Sequence, residues 1–310
     1  LGEAAGRFRV VNHDCQDAAN LVHVGSSSCG GECWLNRLWV EADLRITTGF
    51  IEPHFYAGFS GGSKALVPGI AGLETVRHFH RASLIAHPHA TWARIFDNPL
   101  QALTREMVAL FPPHFIVNVT LNHSKAITGI FAGELVAAHN AGCAAALAEA
   151  TVKVPRRYPL VITTNSGFPL DQNFYQTVKG ISAAARIVEP GGVILALSRC
   201  NNGLPMEGEF AEILSEPCDN DELHSKILAT KVTRHDQWQV QTLMQCLEKA
   251  RIVLFSELSP EDRLLNRTEH TQDPVGTIRE LIAKLGGGPI ATAILPEGPL
   301  SIACPPDADG

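Results

Sequence analysis

No apolar run in the 310-residue chain approaches the roughly 20 residues that a membrane-spanning helix requires, although 45% of the residues are apolar. The sequence therefore reads as a soluble globular protein. Basic charge is equally sparse: 25 Lys and Arg against 32 Asp and Glu leave a net charge of -7. Nothing resembles the basic stripe that displaces counterions from nucleic acid, which argues against a polynucleotide partner. The eight cysteines lack paired spacing, since only Cys29 and Cys33 stand close, as a C-x3-C without a second pair nearby. That is weak evidence for zinc. Most of the others lie in apolar stretches such as Gly-Cys143-Ala-Ala-Ala and read as small core residues of a protein in a reducing cytoplasm. There is no internal repeat, no low-complexity tract, no signal peptide and no opening methionine. The chain starts Leu1-Gly2-Glu3 and runs into an apparent strand at 8–11, as though it began inside a domain.

What is present is alternation. Short β-rich runs at 42–48, 115–121, 160–164, 193–197, 252–255 and 291–295 are separated by helical patterns at 134–150, 172–188, 219–230, 237–249 and 275–285. This order predicts an α/β fold, two α/β domains with largely parallel sheets and an active-site cleft between them. The clearest boundary is the segment Val152 to Pro159, where a small-residue helix gives way to Lys-Val-Pro-Arg-Arg-Tyr-Pro and a fresh strand. The first domain is expected over 1–152, rejoined by 272–310, and the second over 153–271.

The densest stretch is Ile51-Glu-Pro-His54-Phe-Tyr-Ala-Gly58-Phe-Ser60-Gly61-Gly62-Ser63-Lys64-Ala-Leu-Val-Pro68-Gly69, directly after a strand. Ligands of α/β proteins gather at such strand-to-loop junctions. Gly58, Gly61 and Gly62 would let backbone amides approach an anion, with Ser60, Ser63 and Lys64 adding donors and charge. A Walker A loop is excluded because Ser63 and Ala65 flank the lysine where that motif needs Gly and Ser or Thr. A solvated turn is the plain alternative for the glycines taken alone.

Four histidines follow, His78, His80, His87 and His89. Imidazole is the commonest protein ligand for borderline transition metals. On a helix over 74–83, His78 and His80 point about 200° apart, so at most one of them faces a given metal.

The run Pro-His54-x-x-Ala-Gly-Phe-Ser-Gly-Gly-x-Lys64-x-x-x-Pro-Gly, with His80 sixteen residues after the lysine, resembles the signature of the nickel-dependent lactate racemases. The resemblance continues through Asn12-His13-Asp14, Phe131-Ala-Gly-Glu134, Asn165 to Gly180, Asp236-Gln-Trp238-Gln and Leu295-Pro-Glu-Gly-Pro299, nearly the whole chain. It implies a racemase or epimerase of a small 2-hydroxy acid that transfers hydride to a nickel pincer cofactor, a nickel pyridinium-3,5-bisthiocarboxylic acid mononucleotide. It implies Lys64 as the thioamide tether, His80 as the nickel ligand and His54 as a general acid/base. Gln176, Lys179 and Trp238 would bind substrate, and Tyr175 would line the pocket. Asp171 is expected to cap the helix that carries Gln176 and Lys179 on one face. Proteins that build the cofactor would be partners.

The resemblance also marks an absence. The family's upstream Asp and Arg before a Pro, and its Gly-Thr-His-Arg stretch with a second catalytic histidine, do not occur in these 310 residues. The resemblance therefore implies an N-terminally truncated chain that is a poor or inactive racemase as it stands. Two other readings remain: a noncatalytic cofactor-binding fragment, or a zinc-dependent hydrolase using His54, His80 and a third ligand such as His87 or His89.

Overall fold

A computed structural model describes residues 6–284 and 286–306. Two sheets organise the molecule. In the first unit, Ile46–Phe50 runs parallel to Phe115–Leu121, which pairs antiparallel with Ile127–Gly133. Helix Leu135–Ala150 follows, started by Glu134, whose carboxylate accepts from the Val136 and Ala137 amides. The strand expected at 42–48 begins later, because residues 42–45 form a bend and pairing starts at Ile46 opposite Phe115. Phe8, Val10 and Val11 are exposed and not in a strand. Their β-rich composition finds no pairing partner among the described residues.

The second unit is a five-stranded, fully parallel sheet in the order Glu269–Thr271, Arg251–Phe255, Val188–Leu197, Tyr158–Thr164, Thr292–Leu295. Its central strands are apolar on both faces, as a sheet covered on both sides requires. Helix Pro274–Lys284 and strand Thr292–Leu295, expected with the first domain, belong here instead. Leu281 and Ile278 pack against Leu160, Leu195 and Val253, and Ala293 pairs with Val161. The chain then leaves this sheet, and Ile302–Cys304 pairs with Thr151–Lys153.

In this sheet the first strand, Tyr158–Thr164, lies between the second and the last, so chain order reverses there and a crevice opens at the carboxyl ends. Asn165 bridges Glu297 across that point. Helix α1 (Phe174–Ala185) starts from the crevice, and it packs closely because Gly180 and Gly298 are bare. A Cβ on Gly298 would lie 2.5 Å from Thr163 Oγ1 and 3.1 Å from Gly180 Cα. The cap of α1 is Asn173 rather than the expected Asp171: Asn173 Oδ1 accepts from the Gln176 amide at 2.9 Å, while the Asp171 amide closes a turn on Gly167. Asn173→Ala is expected to cost about 1 kcal/mol of stability, read as a lower urea midpoint with an unchanged slope.

Helix α2 (Gln237–Lys249), nearly all buried, joins the two units. Gln241 donates to the Ala82 carbonyl at 3.0 Å, Trp92 donates to Ser182 at 3.3 Å, and Arg77 faces Glu209 at 3.8 Å. One apolar cluster runs across the boundary, joining Phe55, Tyr56, Ile85 and Trp92 to Ala183 and Trp238. No helix among the described residues is long and apolar enough to cross a membrane.

Candidate active site

The loop after Ile46–Phe50 is folded by two short devices. Pro53–His54 pairs antiparallel with Gly58–Phe59, and a 3-10 turn over Gly62–Ala65 carries Lys64. Gly58 adopts φ 77°, and a Cβ there would lie 1.8 Å from the Arg94 carbonyl oxygen, so glycine is obligatory. Gly62 is covered by His139, and its amide donates to Asn118 Oδ1 at 2.8 Å. Ser60 Oγ donates to the Phe50 carbonyl and accepts from the Glu52 amide. The glycines and Ser60 thus hold the loop in shape, and this brings the lysine amine against the histidine ring.

Lys64 Nζ stands 3.5 Å from His54 Nε2 and 5.5 Å from the ring centres of Tyr56 and Phe79. Burial, then the Lys179 charge, lowers Lys64 from 10.5 to about 7. Near neutrality a substantial fraction of this amine is therefore unprotonated, which makes it a nucleophile. Burial and the Lys64, Lys179 and His80 charges hold His54 well below its usual range, so its imidazole is neutral and can accept a proton. A bound anion facing these lysines would reverse much of that charge effect.

His80 caps the short helix Leu73–Phe79 and is only 4% exposed. Its Nδ1 donates to the Val76 carbonyl at 2.8 Å, which fixes the tautomer and leaves the Nε2 lone pair free to accept. The Tyr56 hydroxyl donates to that nitrogen at 2.9 Å. Burial, then Lys64, lowers His80 to about 3. From the second unit, Trp238 stacks on the His80 ring with centroids 4.2 Å apart and planes at 23°. Trp238 Nε1 in turn donates to Tyr175 Oη at 2.8 Å. Trp238 is therefore core and site wall together.

On α1, Gln176 and Lys179 share one face, as their spacing requires. Burial lowers Lys179, against an opposing pull from Glu52. Gln176 Oε1 is buried without a partner, a polar atom left for a ligand. The other histidines lie elsewhere: His78 turns toward Gly31, His87 is exposed, and His89 pairs with Asp97 at 3.0 Å. Among the described residues no group of three or more His, Cys, Asp or Glu is placed to hold a metal. The zinc-hydrolase reading therefore lacks its ligand set, whereas a chelate needing a single imidazole matches His80.

Sequence reasoning missed Tyr56, Glu52 and His139. Tyr56 stands within the Gly-rich signature, but its role depends on His80, 24 residues away. One motif residue turns out to brace the fold: His13 donates to the Ala71 carbonyl and accepts from Asn36, both at 2.9 Å.

The chain is similar to known proteins in both sequence and fold. The lactate racemase N-terminal domain matches residues 1–93 and the lactate racemase C-terminal domain matches residues 155–284. The chain is 37% identical over 252 residues to a lactate racemase of Thermoanaerobacterium thermosaccharolyticum, covering 80% of this chain and 58% of that protein. It is 33% identical over 292 residues to a lactate racemase of Lactiplantibacillus plantarum, covering 93% of this chain and 68% of that protein. The structure of the lactate racemase apoprotein from T. thermosaccharolyticum superposes with a TM-score of 0.91 at 32% identity, over 98% of this chain and 73% of that one. A Thermotoga maritima protein shares the fold at a TM-score of 0.75 and 15% identity, over 98% of this chain and 80% of that one. With both domain matches, two relatives above 30% identity and one fold throughout, the chain belongs to the lactate racemase family.

Proposed function

We propose that this chain serves the racemisation or epimerisation of a small, lactate-like 2-hydroxy acid, with a nickel pincer pyridinium mononucleotide as cofactor. The observation that supports this most is the convergence of an acylatable lysine, a neutral histidine and a third residue, His80, whose Nε2 lone pair now accepts from the Tyr56 hydroxyl and would be released to a metal. These residues fit the cofactor. Lys64 would carry it through a thioamide, and His80 would complete the coordination of a metal otherwise held by sulfur and carbon. When bound, the cofactor supplies a pyridinium ring that accepts hydride from substrate C2 and returns it.

The protein's own part is positioning and proton transfer. Lys179 and the Gln176 amide hold the substrate carboxylate from the second domain. Acylation removes the Lys64 charge and the substrate carboxylate offsets that of Lys179, so His54 becomes more basic at the moment a proton must be taken. His54 then accepts the hydroxyl proton and gives it back, while Trp238 and Tyr175 wall the pocket against water. Proteins that build the cofactor would be functional partners, and eight free thiols suit a reducing cytoplasm.

The test is isotopic. With L-lactate in deuterium oxide and protein produced alongside the cofactor, D-lactate is expected to form with protium retained at C2. Deuterium at C2 would mean proton abstraction from carbon and would defeat the hydride reading.

A further inference from the structure

The hydrogen bond between Tyr56 and His80 joins two side chains that are each locked by other parts of the fold. The Tyr56 hydroxyl donates to His80 Nε2 at 2.9 Å, the nitrogen a metal would need, and it makes no other hydrogen bond among the described residues. Tyr56 is fixed from helix Pro99–Ala109 and its cap. Asn98, fully buried, donates to the Tyr56 carbonyl at 2.8 Å, and Gln101 Nε2 donates to the Ala57 and Phe59 carbonyls at 2.7 and 3.1 Å. The Tyr56 ring meets Phe55 and His54 edge-on, with centroids 4.3 and 4.5 Å apart. His80 is fixed separately, by the Val76 carbonyl on Nδ1 and by Trp238 stacked on its face. The pair is therefore built into the fold, not a loose side-chain contact.

Such a pair sets a threshold for metals. A bare divalent cation at His80 would gain a single imidazole, since no group of three or more His, Cys, Asp or Glu is placed to hold a metal among the described residues. To gain it, the cation must displace the hydroxyl and leave a phenol that is only 6% exposed without an acceptor. A metal already chelated on Lys64 meets the same hydroxyl, but its exchange is intramolecular. Tethering sets an effective concentration of about millimolar at His80, far above that of free transition metals.

We propose that Tyr56 is a specificity-determining residue that shields His80 from bare divalent cations and admits a metal only in chelated, lysine-tethered form. The Nε2 lone pair passes from the O–H to the metal, and the phenol keeps its proton. This rests on the reading of His80 as the metal ligand.

The test uses the full chain made in cells that do not build the cofactor, titrated calorimetrically with Ni²⁺ alone and with Zn²⁺ alone. Tyr56→Phe keeps the ring and removes one oxygen. It is expected to bind either metal roughly tenfold more tightly than the native protein, and adding His80→Ala should abolish the gain. An unchanged or weaker affinity in Tyr56→Phe, or a gain that survives His80→Ala, would overturn the proposal. The native protein offers a check that needs no variant. Long-range ¹H–¹⁵N spectra should show His80 protonated at Nδ1 alone, with its Nε2 resonance in place after one equivalent of Zn²⁺; a protonated Nε2, or its displacement by that equivalent, would equally overturn it. The shield and the cofactor reading fail separately. Nickel and an organic adduct in protein from cofactor-making cells, with no gain in Tyr56→Phe, would remove the shield and leave the reading.

Discussion

Replacing His54 by glutamine is expected to lower racemisation kcat by about 10² to 10⁴-fold, the usual worth of a positioned general acid/base. Cofactor and metal content should remain those of the native protein. The reasoning is local. His54 is held between Phe55 and Tyr56, with ring centroids 4.8 and 4.5 Å away, so glutamine fills much of the same space while losing the neutral imidazole nitrogen that accepts the proton. Chiral chromatography of the product, with metal analysis of the same sample, separates the two effects. A variant with full cofactor and undiminished kcat would remove His54 from the proton path.

The second large effect falls on stability and runs opposite to it. Lys64→Met is expected to stabilise the cofactor-free protein while abolishing cofactor retention. An amine lowered from 10.5 to about 7 binds fewer protons folded than unfolded between those values, so wild-type stability rises with pH across that window. Below about pH 7 the penalty is fully present, and by pH 10 it is largely gone. At pH 6 the methionine variant should exceed wild type by about 2 to 4 kcal/mol, allowing for partial solvent screening, with the gap closing toward pH 10. Urea denaturation at the two pH values checks it. A gap independent of pH would mean that packing, not charge, is responsible. A residue that weakens the fold in the absence of its ligand is characteristic of a functional site.

The same physics shows where the sequence was legible. Helix Gln237–Lys249 and strand Phe115–Leu121 stand where their apolar patterns place them, because most of the helix and alternate residues of the strand are buried. The parallel sheet followed from strand and helix alternation, and the mixed α/β architecture needed nothing more. Local competition was harder to read. Asp171 and Asn173 are both good caps, and only the Gly167 turn decides between them. Residues 8–11 have strand composition, but a strand exists only where a neighbour receives its hydrogen bonds. The late departure of the chain from the parallel sheet reflects the pairing of Thr292–Leu295 with Tyr158–Thr164, a contact that no local pattern encodes.

In the site, the spacing of His54, Lys64 and His80 along one loop and helix was visible, and the structure brings these residues together. The stacking of Trp238 on His80 was not, since it joins positions 158 residues apart through the domain boundary. Nor was the Tyr56 hydroxyl on His80 Nε2, which makes the imidazole a single-tautomer acceptor in the absence of a metal. The glycines were readable as a signature, but the reason differs from an open anion cradle: Gly58 and Gly62 are bare because Arg94 and His139 press on them.

The account rests on Lys64 carrying a nickel cofactor that His80 completes. The direct measurement is the intact mass and metal content of the protein produced in cells that make the nickel pincer cofactor, beside its Lys64→Ala variant. The account predicts nickel together with a cofactor-sized mass adduct in the native protein, with the adduct absent from Lys64→Ala. Zinc without any organic adduct, or an adduct that persists in Lys64→Ala, would contradict it.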